Sequence, residues 1–69
     1  MKVSARNQLP GKVAKIEQGM ILVEITIALD GGGELTSIIT KKAMENLEIA
    51  VGKKIYAVVK STEIMVAID

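Results

Sequence analysis

Cysteine and histidine are both absent from this chain of 69 residues, as are Phe and Trp. Without thiols there is no disulfide framework, and without imidazole the common zinc ligand sets and the usual catalytic proton shuttle are missing too. No serine sits in a nucleophile-elbow motif and no acidic cluster has calcium-loop spacing, so the residues predict a protein that is not an enzyme and ligates no metal cation directly. Glu17, Glu24, Asp30 and Glu34 are read as solvated surface rather than as paired catalytic carboxylates. The run Gly31-Gly32-Gly33-Glu34 lacks the Gly-Lys-Ser or Gly-Lys-Thr that would make it a phosphate loop. No apolar stretch approaches the about 20 residues that span a bilayer, and the first residues lack the apolar core of a secretory leader. A cytoplasmic location with no membrane partner is expected.

What the chain does have is aliphatic mass, with 49% of its residues apolar and Tyr56 as its one aromatic. The core is therefore built from Ile, Val, Leu, Met and Ala. A domain this short buries only about 60% of the surface its unfolded chain exposes. Small domains make up the shortfall with disulfides, a structural metal or association with other copies. The first two are excluded, which leaves a homo-oligomer. The net charge of +1 argues against a general polyanion binder.

Alternating apolar residues mark strands at Val13 to Glu17 and Met20 to Leu29, joined at Gln18 and Gly19, with Pro10-Gly11 read as a turn ahead of them. After the glycine loop, Leu35 to Thr40 is a third strand. Thr40 then caps a two-turn helix in Lys41 to Ala50, and Gly52 leads out of it. Lys53 to Lys60 reads as a fourth strand and Ile64 to Ile68 as a fifth. This order predicts one all-β domain over residues 1–69, a small five-stranded OB-like Greek-key barrel with one short helix between strands 3 and 4. An SH3-like barrel suits the length but asks for no helix there. Ile64 to Ile68 is apolar on both faces, and Tyr56 and Val58 make the outer face of the fourth strand apolar as well, which marks a subunit interface.

The polar residues that stand out are donors without acceptors: Ser4, Arg6 and Asn7 near the start, Thr40 at the helix start, and Lys60, Ser61 and Thr62 after the fourth strand. Singly, each has a plain structural role, as solvated strand residue, turn former, helix cap or solvent-facing turn. Jointly they are the groups that hold a small oxyanion. Guanidinium and ammonium bring charge, hydroxyls and amide bring direction, and helix N–H groups add further donors.

The segments "SARNQLPGKV", "ELTSIITKKAMENL" and "YAVVKSTEIMVAI" together resemble the Mop domain, the molybdate-binding module of molbindins and of related TOBE domains in molybdate transporters and regulators. A chain that is a single Mop domain looks like a stand-alone molbindin, whose family members form hexamers holding oxyanions at subunit interfaces. The resemblance implies a hexamer, a trimer of dimers, that stores molybdate and also tungstate for molybdenum homeostasis, with no organic cofactor. It places Ser4, Arg6 and Asn7 at the oxyanion, brings Lys60 and Ser61 from the neighbouring strand end, and brings Thr40 from another subunit. A cage sized for molybdate leaves sulfate, a smaller tetrahedron, out of reach of all the donors at once. Phosphate carries a proton part of the time, which an all-donor site leaves without an acceptor. Two other readings remain, an OB-fold nucleic-acid module and a purely structural assembly domain. Tyr56 alone is a poor stacking platform for the first, since each stacked base contributes about 1–3 kcal/mol. The clustered donors, costly to bury unpaired, count against the second.

Overall fold

The structure, a computed structural model, describes residues 2–69. Its elements are β1 (Asn7–Gln18), β2 (Leu22–Leu29), β3 (Glu34–Thr40), the helix α1 (Lys41–Asn46), β4 (Lys54–Val59) and a single 3-10 turn at Ser61–Glu63. The strands form one antiparallel sheet in the order β3-β2-β1-β4, curled into a half-barrel around its apolar face.

The period-two pattern decides which face is buried. In β2 the residues Val23, Ile25 and Ile27 point inward between Glu24, Thr26 and Ala28. They join Val13, Met44 and Ala57 in the buried core, with Ile16, Leu35, Ile39, Ile49 and Ile55 packed against it. β1 needs an adjustment to contribute both Val13 and Ile16, which are three positions apart and fall on opposite faces of a regular strand. A bulge between Val13 and Lys15 absorbs Ala14, so that Val13 pairs with Ile27 and Ile16 with Ile25.

β1 starts well before the expected Val13, and Pro10-Gly11 is part of the strand rather than a turn. Sheet pairing on both sides overrides the turn propensity of this dipeptide. Gly11 pairs with Leu29 on one side and Ile55 on the other. The Pro10 carbonyl accepts from the Asp30 N–H at 3.0 Å, so the nitrogen that lacks a hydrogen faces the same way, past the last β1–β2 pair, where the ladder needs no donor. At Gly11 the backbone of β2 comes so close that a Cβ would stand 2.5 Å from the Ala28 carbonyl oxygen.

The expected fifth strand is not formed, and the sheet has four strands. Alternation makes Ile64–Ile68 a good strand sequence, but a strand exists only by pairing. After the 3-10 turn the backbone is extended at Ile64 (φ −95°, ψ 124°), and every residue from there on is exposed. β3 and β4 are therefore the free edges. Between them opens an apolar groove of about 550 Å³, lined by Ile25, Ile27, Leu35, Ile39, Ile55 and Ala57 among others.

The helix is shorter than expected, ending at Asn46, but it starts as the sequence indicates, with the Thr40 hydroxyl accepting from the Ala43 N–H at 3.0 Å. Its end is a Schellman turn, in which the Glu48 N–H donates to Glu45 and the Ile49 N–H to Met44, with Glu48 left-handed at φ 55°. The Lys53 ammonium adds bonds to the Leu47 and Glu48 carbonyls at 2.7 and 3.1 Å. This fixes Met44 and Ile49 over the end of the core. Among the described residues no helix is long and apolar enough to cross a membrane.

Candidate functional site

The β1–β4 ladder assembles the site. Its last pair is Asn7 with Val59, so Arg6 enters β1 next to the point where Lys60 leaves β4, each one residue beyond that pair. Ser4 and Ser61 lie just outside them along the chain. Ser4, Arg6, Lys60 and Ser61 are exposed and Asn7 is half-buried. Antiparallel pairing thus brings together residues more than fifty positions apart in sequence.

The electrostatics are one-sided. Among the described residues the single ion pair is Lys15 with Glu17, at 2.8 Å on the outer face of β1. There the hydrogen bond from Lys15, and then its charge, hold the Glu17 carboxyl below its ordinary range, and the same contact raises Lys15. Arg6 and Lys60 have no such partner, so two cations stand at one sheet end without a carboxylate to balance them. Hydroxyl donors at Ser4 and Ser61 and the Asn7 amide complete a set that can surround an anion. No cluster of three or more Asp or Glu side chains is positioned to hold a metal cation among the described residues.

Thr40 is not part of this group. It pairs with Leu22 at the other end of the sheet, where β2 begins, and β1 runs its whole length between the two places. Its hydroxyl oxygen already caps α1, leaving the hydroxyl hydrogen free to donate. The helix start is also less rich in donors than expected, because the Lys41 N–H donates to the Ile21 carbonyl and the Ala43 N–H to Thr40. Within one chain, then, the register brings Arg6 and Asn7 to the strand end where Lys60 leaves β4, Ser4 and Ser61 follow nearby along the chain, and Thr40 stands apart.

One contributor escapes the sequence reading. The Gln8 amide donates to the Ala5 carbonyl at 3.0 Å and so pins the backbone between Ser4 and Arg6. The three-residue spacing of an amide side chain before a strand is the signal for such a bond, but it is too common to be noticed on its own.

Residues 3–66 match the family model for the TOBE domain. The chain is 44% identical over 69 residues to a probable molybdenum-pterin-binding protein of Haemophilus influenzae, with all of both chains covered. It superposes on MopII from Clostridium pasteurianum with a TM-score of 0.91 at 40% identity, covering 97% of this chain and 100% of that one. A third likeness is to the cytoplasmic molybdate-binding protein ModG with molybdate bound, at a TM-score of 0.83 and 44% identity over 88% of this chain and 43% of that one.

Proposed function

Because the chain belongs to the TOBE domain family, among its molybdenum-pterin-binding Mop members, we propose that it binds molybdate at the strand end where Arg6 meets Lys60. The uncompensated pair of cations, set among Ser4, Asn7 and Ser61, is the observation that carries this reading. Molybdate is a dianion at neutral pH and only accepts hydrogen bonds, so it matches two cations and three polar side chains that can each donate to it. Tungstate has the same charge and shape and binds there as well.

The residues gathered in one chain cover the anion from one side. The remaining donors come from a neighbouring copy, with Thr40 as the group supplied across the interface, which accounts for its distance from its own chain's site. The assembly is a homo-oligomer, a hexamer built as a trimer of dimers from single domains of residues 1–69. It keeps molybdate in the cytoplasm, where ModG acts by its description, as a store that supports molybdenum homeostasis.

Calorimetric titration with molybdate, tungstate, sulfate and a single-stranded oligonucleotide tests the reading. Saturable heats with the first two and none with the others are the expected result. Heat from the oligonucleotide alone would instead assign the chain to nucleic-acid binding.

A further inference from the structure

Asp30 and Gly31 form the only Asp-Gly or Asn-Gly step in the sequence, and they sit at the tip of the β2–β3 hairpin. Residues 30–33 are all exposed. We propose that this step is a site of spontaneous isoaspartate formation, a covalent change that lengthens the hairpin backbone by one atom and loosens the edge strand β3.

The reaction needs a carboxylic acid, the next residue's amide nitrogen and freedom for the two to meet. The lone pair of the Gly31 nitrogen attacks Cγ of Asp30, a C–N bond forms, and the carboxyl hydroxyl leaves with the amide proton as one water. The product is a five-membered succinimide. Water then opens the ring at either carbonyl. Opening at the original main-chain carbonyl frees that carbon as a carboxylate and leaves the backbone running through Cβ and Cγ. One water leaves and one returns, so nothing is oxidised or reduced and the mass is unchanged.

The hairpin tip meets these needs. Gly31 carries no side chain to shield its nitrogen, and a Cβ built there would meet nothing within 4 Å. The N–H groups on either side are committed, Asp30 to the Pro10 carbonyl and Gly32 to the Leu29 carbonyl, each at 3.0 Å. The Gly31 N–H makes no backbone hydrogen bond among the described residues. The two asparagines are placed differently. Asn46 ends α1, and the N–H that would have to attack it, that of Leu47, is committed to the Ala43 carbonyl at 3.0 Å. Asn7 lies in β1, paired with Val59 and followed by the bulky Gln8.

The extra atom falls inside the ring closed by the Gly32–Leu29 bond, ahead of the bond from the Leu29 N–H to the Gly33 carbonyl. Both bonds and the Ala28–Glu34 pair that follows them lose their geometry. β3 is paired with β2 alone, so no second strand holds it in place. Leu35, its first core-facing residue, is the side chain whose seat loosens. The Asp30 N–H lies before the inserted atom, so its bond to Pro10 and the β1–β2 pairing are spared.

Prolonged warm incubation at neutral pH, followed by peptide mapping with electron-transfer fragmentation, separates isoaspartate from aspartate despite their equal mass. Isoaspartate should accumulate at residue 30 in the parent protein. In Gly31→Ala it should accumulate severalfold more slowly, because the new methyl group shields the nitrogen. Asp30→Glu, whose ring would have six members, should lose the reaction. In the isoaspartate form, hydrogen exchange should show lost protection at residues 34–36 and parent-like protection at Val13 and Ile25. No isoaspartate at residue 30, or equal amounts in the parent and Gly31→Ala, would overturn the site. Unchanged protection of β3 in the isoaspartate form would overturn the loosening.

Discussion

Asn7 and Val59 form the last pair of the β1–β4 ladder, and this pair sets Arg6 and Lys60 side by side at one end of the sheet. Neither cation has a carboxylate within ion-pair distance.

On the proposed binding mode, replacing Arg6 or Lys60 with Ala would remove a charge-assisted bond to the dianion. Each change should weaken molybdate binding by about 1.5–3 kcal/mol, or roughly ten- to a hundredfold in dissociation constant. Molybdate should raise the melting temperature of the parent strongly and of either variant weakly. Equal shifts in all three proteins would place the site elsewhere.

Gln8→Ala frees the Ala5 carbonyl and the backbone between Ser4 and Arg6. The expected loss is about 0.5–1.5 kcal/mol of stability by denaturant unfolding, with a severalfold loss of molybdate affinity. Unchanged affinity would show that this backbone needs no pinning.

Glu48 holds a left-handed conformation at φ 55° that only glycine adopts without strain. Glu48→Gly should raise stability by about 0.5–1 kcal/mol, the relief of that strain outweighing the added freedom of the unfolded chain. Thermal melting reads the result directly, since the side chain is exposed.

Gly11→Ala tests the close approach of β1 and β2. Its Cβ would meet the Ala28 carbonyl oxygen at 2.5 Å and the Ile27 methyl at 3.1 Å. The backbones must part to admit it, at a cost of about 1–3 kcal/mol. Gly31→Ala, with open space around it, serves as the control.

The Lys15–Glu17 contact gives stability a small pH dependence of known sign. Glu17 is lowered in the folded chain, so its share is present above the ordinary 4.5 and is lost as pH falls through the lowered value. Lys15 is raised, so its share is present below 10.5 and is lost as pH rises through the raised value. Glu17→Gln should flatten both limbs slightly in melts followed across pH. Both side chains are exposed, so salt should flatten them too.

The strands around Val23, Ile25 and Ile27 were legible because one buried face imposes a period of two on the sequence, and Thr40 announced its helix through its hydroxyl. The Pro10-Gly11 step was not legible, because its meaning depends on the backbone of β2, which no local pattern reports. Ile64–Ile68 has every local mark of a strand, and its lack of a partner in the chain is a fact about the sheet's edges. For the candidate site, the sequence offered the donor types, while the nearness of Arg6 to Lys60 came only with the register Asn7–Val59. Thr40 shows the converse, a donor of the right kind at the far end of the sheet.

The bulge at Ala14 has a consequence for how this chain can change in length. Deleting one residue there would turn either Val13 or Ile16 from the core into water, so the strand tolerates no shortening at a position that looks expendable. At Gly31, Gly32 and Gly33 a side chain would meet nothing within 4 Å. Side chains have room there, although Gly32 and Gly33 hold positive φ and bond back to Leu29, so relatives that differ in length by a residue or two should differ in that loop while keeping the spacing from Val13 to Ile16.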